Sequence, residues 1–269
     1  SIRLKLLARD VYLFNGFTAE AESSVTEINR LAGSRTWAYQ DPVNIATLGI
    51  AALQLGADPK LVLDRLLKPA LKADDTIVET HLAVANLAMS KGDYQMAAVQ
   101  LRAGLKILPD EPELYHALAR SFRESDPEEM LKALEQALEK NDNHVPSKLL
   151  MADHLIDGEQ YEQAEKILTE VLRVNEWQPE AWAYRAVIAH LKNAPQDESK
   201  FRSIALKHYS NNPGIDHLIG RKMSQKYRFR QGAAAQRQAL VFDEDYVAAK
   251  IQLAQDLLRL GADDEAEGW

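Results

Sequence analysis

The amino-acid sequence predicts an all-α fold in which antiparallel helix pairs stack into a solenoid. The first observation is a unit of 34 residues, Val145 to Gln178, that has the pattern of two short helices joined at Gly158. The second observation is that this unit recurs along nearly the whole chain. A single helix pair cannot bury both of its apolar faces, so repeated pairs predict a stack in which each pair covers the next.

Two series of equivalent residues, called ladders below, fix the register of the repeats, one in the first helices and one in the second. In each first helix a small residue follows an apolar or long one, at successive spacings of 36, 34, 33, 34, 34 and 34 residues. These small residues are Gly49, Ala85, Ala119, Ala152, Ala186, Gly220 and Ala254. The expected contact residues of the second helices are Leu61, Ala97, Met130, Ala164, Glu198, Gly232 and Ala266, with spacings of 36, 33, 34, 34, 34 and 34. Because the ladders agree, seven pairs in one register are predicted.

The predicted turns and helix starts have suitable residues. Glycine occurs between the two helices of a pair at Gly92, Gly158 and Gly261, where it relieves a tight connection. Asp126 and Glu129 have the spacing of a capping box at a helix start. These local signals favour the same helix boundaries as the ladders.

The repeat resembles that of the tetratricopeptide repeat (TPR) family. Trp182 stands at the family's tryptophan position, Leu48-Gly49 keeps its leucine-glycine pair, and Ala164 keeps its second-helix alanine. The resemblance covers about residues 42–269.

One repeat departs from the family pattern. Arg185 replaces the leucine and Glu198 replaces the alanine in the repeat that begins at Pro179. We expect either that this repeat is distorted or that the two charged side chains face each other.

The expected organisation has three parts. Residues 1–34 form a degenerate N-terminal helical hairpin, residues 35–41 form a connecting loop, and residues 42–269 form the tandem repeats. The expected repeats are 42–77, 78–111, 112–144, 145–178, 179–212, 213–246 and 247–269, the last of them truncated. A sequence that ends within a repeat suggests a piece of a longer protein, and the truncated end predicts some self-association.

Composition excludes several classes of function. The net charge of −8 argues against general nucleic-acid binding, which needs a basic surface. The chain has 0 cysteines, which excludes disulfides and thiolate chemistry. No apolar run approaches the ~18 residues of a membrane span. Cytoplasmic and periplasmic locations are both compatible with this composition.

The family resemblance implies a right-handed superhelix whose concave face, lined by the first helices, binds a peptide or protein partner. Counting around each helix from the packed small residue gives the candidate groove residues. They are Asn86, His116, Arg120, Arg123, Asp153, Tyr184, His190, His217 and Arg221, together with Val187 and Gln255. The alternative for each residue taken singly is a solvated helix face.

No catalytic signature is present, so neither an enzyme nor a cofactor or metal site is predicted. Asp153, His154 and Asp157 have a metal-like spacing, but a solvated helix face is the better interpretation. The basic run from Arg221 to Arg230 could bind an anionic partner, but the better interpretation is that its cations are the solvated side of a helix that ends near Tyr227.

A second hypothesis concerns the C-terminal region. Residues 227–261 are similar to repeat regions that precede zinc-peptidase domains in some large bacterial proteins. That resemblance implies a recruiting or regulatory arm of a larger enzyme whose catalytic residues lie outside this chain.

Overall fold

The computed structural model describes residues 1–34 and 36–269, apart from the side chains at 36 and 37. In this part of the chain every regular element is helical and no strand occurs, which confirms the all-α prediction. The N-terminal helices are α1 (Ile2–Phe14) and α2 (Thr18–Ser34), and a 3₁₀ turn at Thr36–Tyr39 follows them.

The repeated pairs follow in order. Their helices are α3 (Pro42–Gln54), α4 (Pro59–Val62), α5 (Lys68–Ala73), α6 (Val78–Ser90), α7 (Tyr94–Ile107), α8 (Pro112–Phe122), α9 (Pro127–Lys140), α10 (Val145–Asp157), α11 (Tyr161–Val174), α12 (Pro179–Leu191), α13 (Pro195–Leu206), α14 (Pro213–Gln225), α15 (Phe229–Phe242), α16 (Val247–Arg259) and α17 (Asp263–Ala266). Proline starts several first helices, because a missing amide hydrogen costs little there.

The chain forms two compact units. Unit 1 comprises Ser1–Tyr12 and Thr18–Ser147, and unit 2 comprises Leu13–Phe17 and Lys148–Trp269. The boundary at Ser147 and Lys148 falls within α10, and the repeat pattern of the sequence does not predict it.

The small residues of the first helices are buried in both units, except Ala254, which is only half-buried. Ala85 and Ala119 in unit 1, and Ala152 and Ala186 in unit 2, are each 0% exposed. At these positions the helices of a pair come close together. At Gly49 the contact is so close that an added Cβ would lie 2.8 Å from Leu67 Cδ2.

Side-chain caps start several helices. The amide of Glu129 donates to Asp126 Oδ1 at 3.0 Å, as the capping-box spacing predicts. Asp93 caps α7 in the same way, through the amide of Met96 at 2.9 Å. A side-chain acceptor at this position satisfies an amide that the helix itself leaves without a partner.

The turns within the pairs confirm part of the glycine prediction. Gly92 and Gly261 have positive φ angles of 74° and 73°, in the region that favours glycine. In the turn after α10, however, Glu159 rather than Gly158 has the positive φ, at 58°. Asn193 and Tyr227 occupy the equivalent position of the next two pairs, with φ angles of 57° and 60°.

The first repeat departs from the second-helix ladder. A π-helical turn at Leu63–Leu67 separates α4 from α5 and adds a residue to the helix, consistent with the longer spacing of 36 at this repeat. In α4, before this turn, Leu61 is 51% exposed, whereas Val62 is only 4% exposed. The prediction that Leu61 makes the intra-pair contact was therefore wrong by one residue.

The irregular repeat at Pro179 keeps its helices. Arg185 and Glu198 do not face each other, which was one of the two alternatives expected from the sequence. Instead Arg185 Nε lies 3.0 Å from Glu165 Oε2 of the preceding repeat, and Glu198 Oε2 lies 2.9 Å from His190 Nδ1. Each unusual charge thus has a partner, which explains why the repeat tolerates it.

Candidate partner-binding face

A cavity of about 630 Å³ opens in unit 1 between α3 and α6. Asn86 lines it because Asn86 follows the packed Ala85, and one residue turns the helix by about 100° away from the pair contact. Apolar side chains contribute much of the lining, among them Ile50, Leu53, Leu82 and Leu87. We call this space the unit 1 cavity. Its volume is in the range of cavities that bind ligands.

The polar residues at the edge of the unit 1 cavity are held by arginines from outside it. Gln54, Glu79 and Asn86 all line the cavity, and each contacts a guanidinium on α1 or α8. The contacts are Arg9 Nη2 to Gln54 Oε1 at 2.7 Å, Arg120 Nη1 to Asn86 Oδ1 at 3.3 Å, and Arg3 to Glu79. The two α1 arginines were not among the predicted groove residues, since they lie outside the regular repeats.

Arg120 and Arg123 bring two cations to the C-terminal end of α8. Arg120 is exposed, and Arg123 is half-buried with its Nε 3.6 Å from Glu124 Oε1. Although Arg120 is exposed to solvent, desolvation by the surrounding protein and, second, the nearby charge of Arg123 lower the pKa of Arg120 from its ordinary value. A bound anion would relieve this repulsion.

His116 lies among polar groups that are largely inside unit 1. Its Nδ1 is 3.5 Å from Ser147 Oγ, and its ring meets the His144 ring edge-on with centroids 5.6 Å apart. Burial, with smaller contributions from His144 and Arg120, lowers the pKa of His116 to about 4. The imidazole is therefore neutral at pH 7.

Glu113, His144 and Ser147 are the residue types of a hydrolytic triad. His144 Nδ1 is 2.8 Å from Ser147 Oγ, and His144 Nε2 lies 3.1 Å from Glu113 Oε1 without the alignment of a hydrogen bond. Ser147 is 0% exposed, so a substrate cannot reach its hydroxyl. We interpret the three residues as a polar contact that joins α8 to the start of α10.

Unit 2 contains a cluster of charged residues at the helix positions that Asn86 and Arg120 occupy in unit 1. Asp153 follows the packed Ala152 just as Asn86 follows Ala85, yet Asp153 is only 2% exposed. Its carboxylate accepts hydrogen bonds from the Tyr184 hydroxyl at 2.9 Å and from Arg221 Nη2 at 3.0 Å.

Lys222 completes this cluster. It is 0% exposed, and its Nζ lies 3.1 Å from Asp153 Oδ1 and 2.5 Å from Asp157 Oδ1. We call Asp153, Asp157, Tyr184, Arg221 and Lys222 the unit 2 cluster. An ammonium group thus occupies the place between two carboxylates where a metal ion was considered.

The basic run from Arg221 to Arg230 is only partly a solvated helix side. Lys222 is fully buried, and Lys226 Nζ donates to the carbonyl oxygen of Asp157 at 2.9 Å. Tyr227 is 84% exposed. The interpretation of the whole run as solvated cations was therefore wrong for Lys222, whose partner lies 69 residues away, about two repeat lengths.

His190 and His217 contact second helices. His190 pairs with Glu198 of α13, and His217 Nδ1 lies 2.9 Å from Gln236 Oε1 of α15. His217 also meets the Tyr246 ring edge-on at 5.5 Å. These contacts hold both imidazoles at the packing surfaces of their repeats.

The TPR resemblance is supported by comparison with known proteins. A sequence profile described as "Tetratricopeptide repeat" matches residues 121–188. No curated protein sequence is significantly similar to the chain.

Solved structures with the same fold extend the match beyond that segment. A tetratricopeptide repeat protein from Parabacteroides merdae is 15% identical, with a TM-score of 0.58 over 95% of this chain and 98% of the other. The chain therefore has the fold of a TPR-type helical repeat protein. A thermophilic TPR protein of Thermus thermophilus is 18% identical, with a TM-score of 0.54 over 67% of this chain and 98% of the other.

Yeast Tom70 is a third similar structure. It is 17% identical with a TM-score of 0.59, and the match covers 96% of this chain and 58% of Tom70. At these identities the likeness concerns the fold alone. TPR folds are in general non-catalytic scaffolds that bind proteins. Within residues 1–34 and 36–269, no helix has the length and apolar character that a bilayer crossing requires.

Proposed function

We propose that this TPR chain binds a peptide or protein partner along the first-helix surface of unit 1. The unit 1 cavity carries the proposal, because it lies between first helices of successive repeats and combines an apolar lining with an accessible polar edge. Burial of an apolar anchor in such a cavity supplies binding free energy, while the polar edge fixes its orientation.

The proposed groove residues contribute differently. Asn86, His116, Arg120 and Arg123 are those of unit 1, and Asn86 and Arg120 are exposed beside the cavity. Asp153, Tyr184 and Arg221 already satisfy one another in the unit 2 cluster. We therefore assign the partner contact to unit 1.

Selection from a displayed random peptide library tests this function. The wild-type chain should enrich a family of related peptides. The variant Asn86→Trp, which fills the cavity edge with a bulky ring, should lose those peptides. Gln95→Trp, at an exposed position of α7, is the matched control and should retain them. Enrichment that is equal for both variants would contradict the assignment.

The larger-enzyme hypothesis stays a prediction. No observation on residues 1–34 and 36–269 favours a bacterial zinc peptidase over another parent protein. The present proposal gives this chain a binding role and assigns it no catalytic residue.

A further inference from the structure

We infer that the unit 1 cavity selects peptides in which an apolar side chain is flanked by acidic residues. This inference rests on the proposed function and names the class of partner that the same surface takes. The apolar lining and the cations around it carry the argument.

The apolar part of the ligand follows from the lining. Ile50 and Leu53 of α3 oppose Leu82 and Leu87 of α6 across the unit 1 cavity. The polar residues on the cavity surface lie beside this apolar lining, so an apolar side chain can enter without leaving a buried polar group unpaired. The cavity is open, which suits one side chain of a longer chain better than a fully enclosed small molecule.

The acidic part follows from the charges at the edge. Arg3, Arg9 and Arg120 each contact a residue that lines the cavity, and Lys91 is itself part of the lining. Two of these cations are neutralised, since Arg3 is paired with Glu79 of the lining and Arg9 with Asp10, so Arg120 and Lys91 supply the net positive charge at the cavity edge. Opposite charge on a ligand increases both its association rate and its specificity.

Arg120 is the cation best placed to bind a carboxylate. Within the described part of the chain its guanidinium contacts the neutral amide of Asn86 and no carboxylate, whereas Arg3 is paired with Glu79 and Arg9 with Asp10. An arginine can bind a carboxylate through two parallel hydrogen bonds. The distance of 3.3 Å from Arg120 to Asn86 is long, so that contact can be exchanged for a stronger one.

A peptide fits these observations better than an anionic amphiphile such as a fatty acid. The arginines lie on α1 and α8, which are separate from the two helices that form the apolar lining. An extended peptide can place acidic side chains on both sides of one apolar anchor. A fatty acid has a single carboxylate and can reach only one side.

The composition of the peptides selected from a random library tests the inference. We expect Asp and Glu to be enriched beside a central Leu, Ile, Met or Phe. A selected peptide should bind roughly tenfold more weakly to Arg120→Glu. Arg230→Glu, an exposed arginine of α15, is the control and should leave the affinity unchanged. Affinity for wild type should also fall as ionic strength rises.

The outcomes separate the inference from the proposed function. If peptides are enriched through the cavity but show basic or neutral flanks, the partner class is wrong and the binding function stands. If no peptide depends on the cavity, the proposed function fails. If sodium decanoate competes for the cavity and no acidic peptide is selected, an amphiphile is the occupant and the inference is overturned. Unchanged melting temperatures of the variants ensure that loss of binding is not loss of folding.

Discussion

Unit 1 and unit 2 use equivalent helix positions in opposite ways. In unit 1 the residues after the packed small residues are Asn86 and Arg120, which are both exposed beside an open cavity. In unit 2 Asp153 holds the equivalent position, is 2% exposed and is bound by Tyr184, Arg221 and Lys222. The same register thus yields an accessible surface in one unit and a closed polar core in the other.

The difference shows how a repeat fold can divide stability and binding between its parts. A buried carboxylate that is fully paired gains little from a ligand, but it becomes very unfavourable when a partner is removed. An exposed arginine beside an apolar cavity can gain from a bound ligand, and its removal costs little stability because no buried charge is left unpaired. Mutations in the two units should therefore separate into stability effects and binding effects.

The largest stability effect is expected at Lys222. Lys222→Met removes the fully buried ammonium and leaves Asp153 with fewer charge partners, which should cost about 3–5 kcal/mol of unfolding free energy. Urea unfolding measures this loss. Lys91→Met, at an exposed position of unit 1, should change stability by about 0.5 kcal/mol or less. Similar losses for the two variants would remove the distinction between the units.

The packed small residues should behave alike in both units. Ala85→Leu and Ala152→Leu each force a larger side chain into a position that is 0% exposed, which should cost about 1–3 kcal/mol. Ala103→Leu, at an exposed position of α7, is the control and should have little effect. A large loss in only one unit would show that the register does not extend through both.

The pH dependence of the free energy of unfolding should contain a contribution from the neutral imidazole of His116. Because its folded-state pKa is about 4 and an unfolded histidine has a pKa of about 6.5, the unfolded chain takes up this proton first as pH falls. Stability from the neutral imidazole is therefore complete above about pH 6.5 and decreases between about pH 6.5 and pH 4.

His116→Gln should remove on the order of 1–2 kcal/mol of the stability change between those pH values, measured by urea unfolding. His208→Gln, an exposed position of unit 2, serves as the control. If the two variants have equal pH profiles, His116 does not keep its neutral form in the folded state.

Substitutions in the turns within the pairs should change the free energy of unfolding by a smaller amount. Tyr227 has a positive φ of 60° and is 84% exposed, so Tyr227→Gly should raise stability by about 1 kcal/mol through relief of backbone strain. Gly261→Ala, at the equivalent turn with a φ of 73°, should lower stability by a similar amount. Thermal unfolding of both variants checks the opposite signs, and a loss in Tyr227→Gly would contradict the strain argument.

The smallest effect concerns self-association. Val247, Ile251 and Leu258 are 63%, 55% and 56% exposed on α16, so we predict weak association at high concentration. Sedimentation velocity should show a concentration-dependent species that Ile251→Gln removes. A wild-type chain that stays monomeric at the highest concentrations would count against this expectation.

The fold could be predicted from the sequence because small residues recur at a regular spacing. Ala85, Ala119, Ala152 and Ala186 are spaced by repeat lengths and are all buried, since each stands where the two helices of a pair touch. The spacing of 36 residues at the first repeat indicates added residues but not a π turn at Leu63–Leu67, because no specific residue type marks such a turn. Likewise, nothing in the residue type of Glu159 indicates that its backbone is left-handed.

The candidate binding residues were harder to predict, because contacts between repeats decide whether each residue is exposed or buried. Counting around one helix identifies Asp153 and Arg221 as positions near the groove, but it cannot show that they bond to each other. Their separation of 68 residues, two repeats, is a signal that a search for opposite charges at repeat spacing would find. Arg3 and Arg9 offer no such signal, because α1 lies outside the regular repeats.

Hydrogen–deuterium exchange with a library-selected peptide tests the central claim most directly. If unit 1 provides the binding surface, the peptide should slow exchange in α3 and α6, around the cavity residues Leu53, Leu82 and Asn86. Exchange in α10 and α14, which carry the unit 2 cluster, should not change. Protection confined to α10 and α14, with none in α3 and α6, would contradict the account.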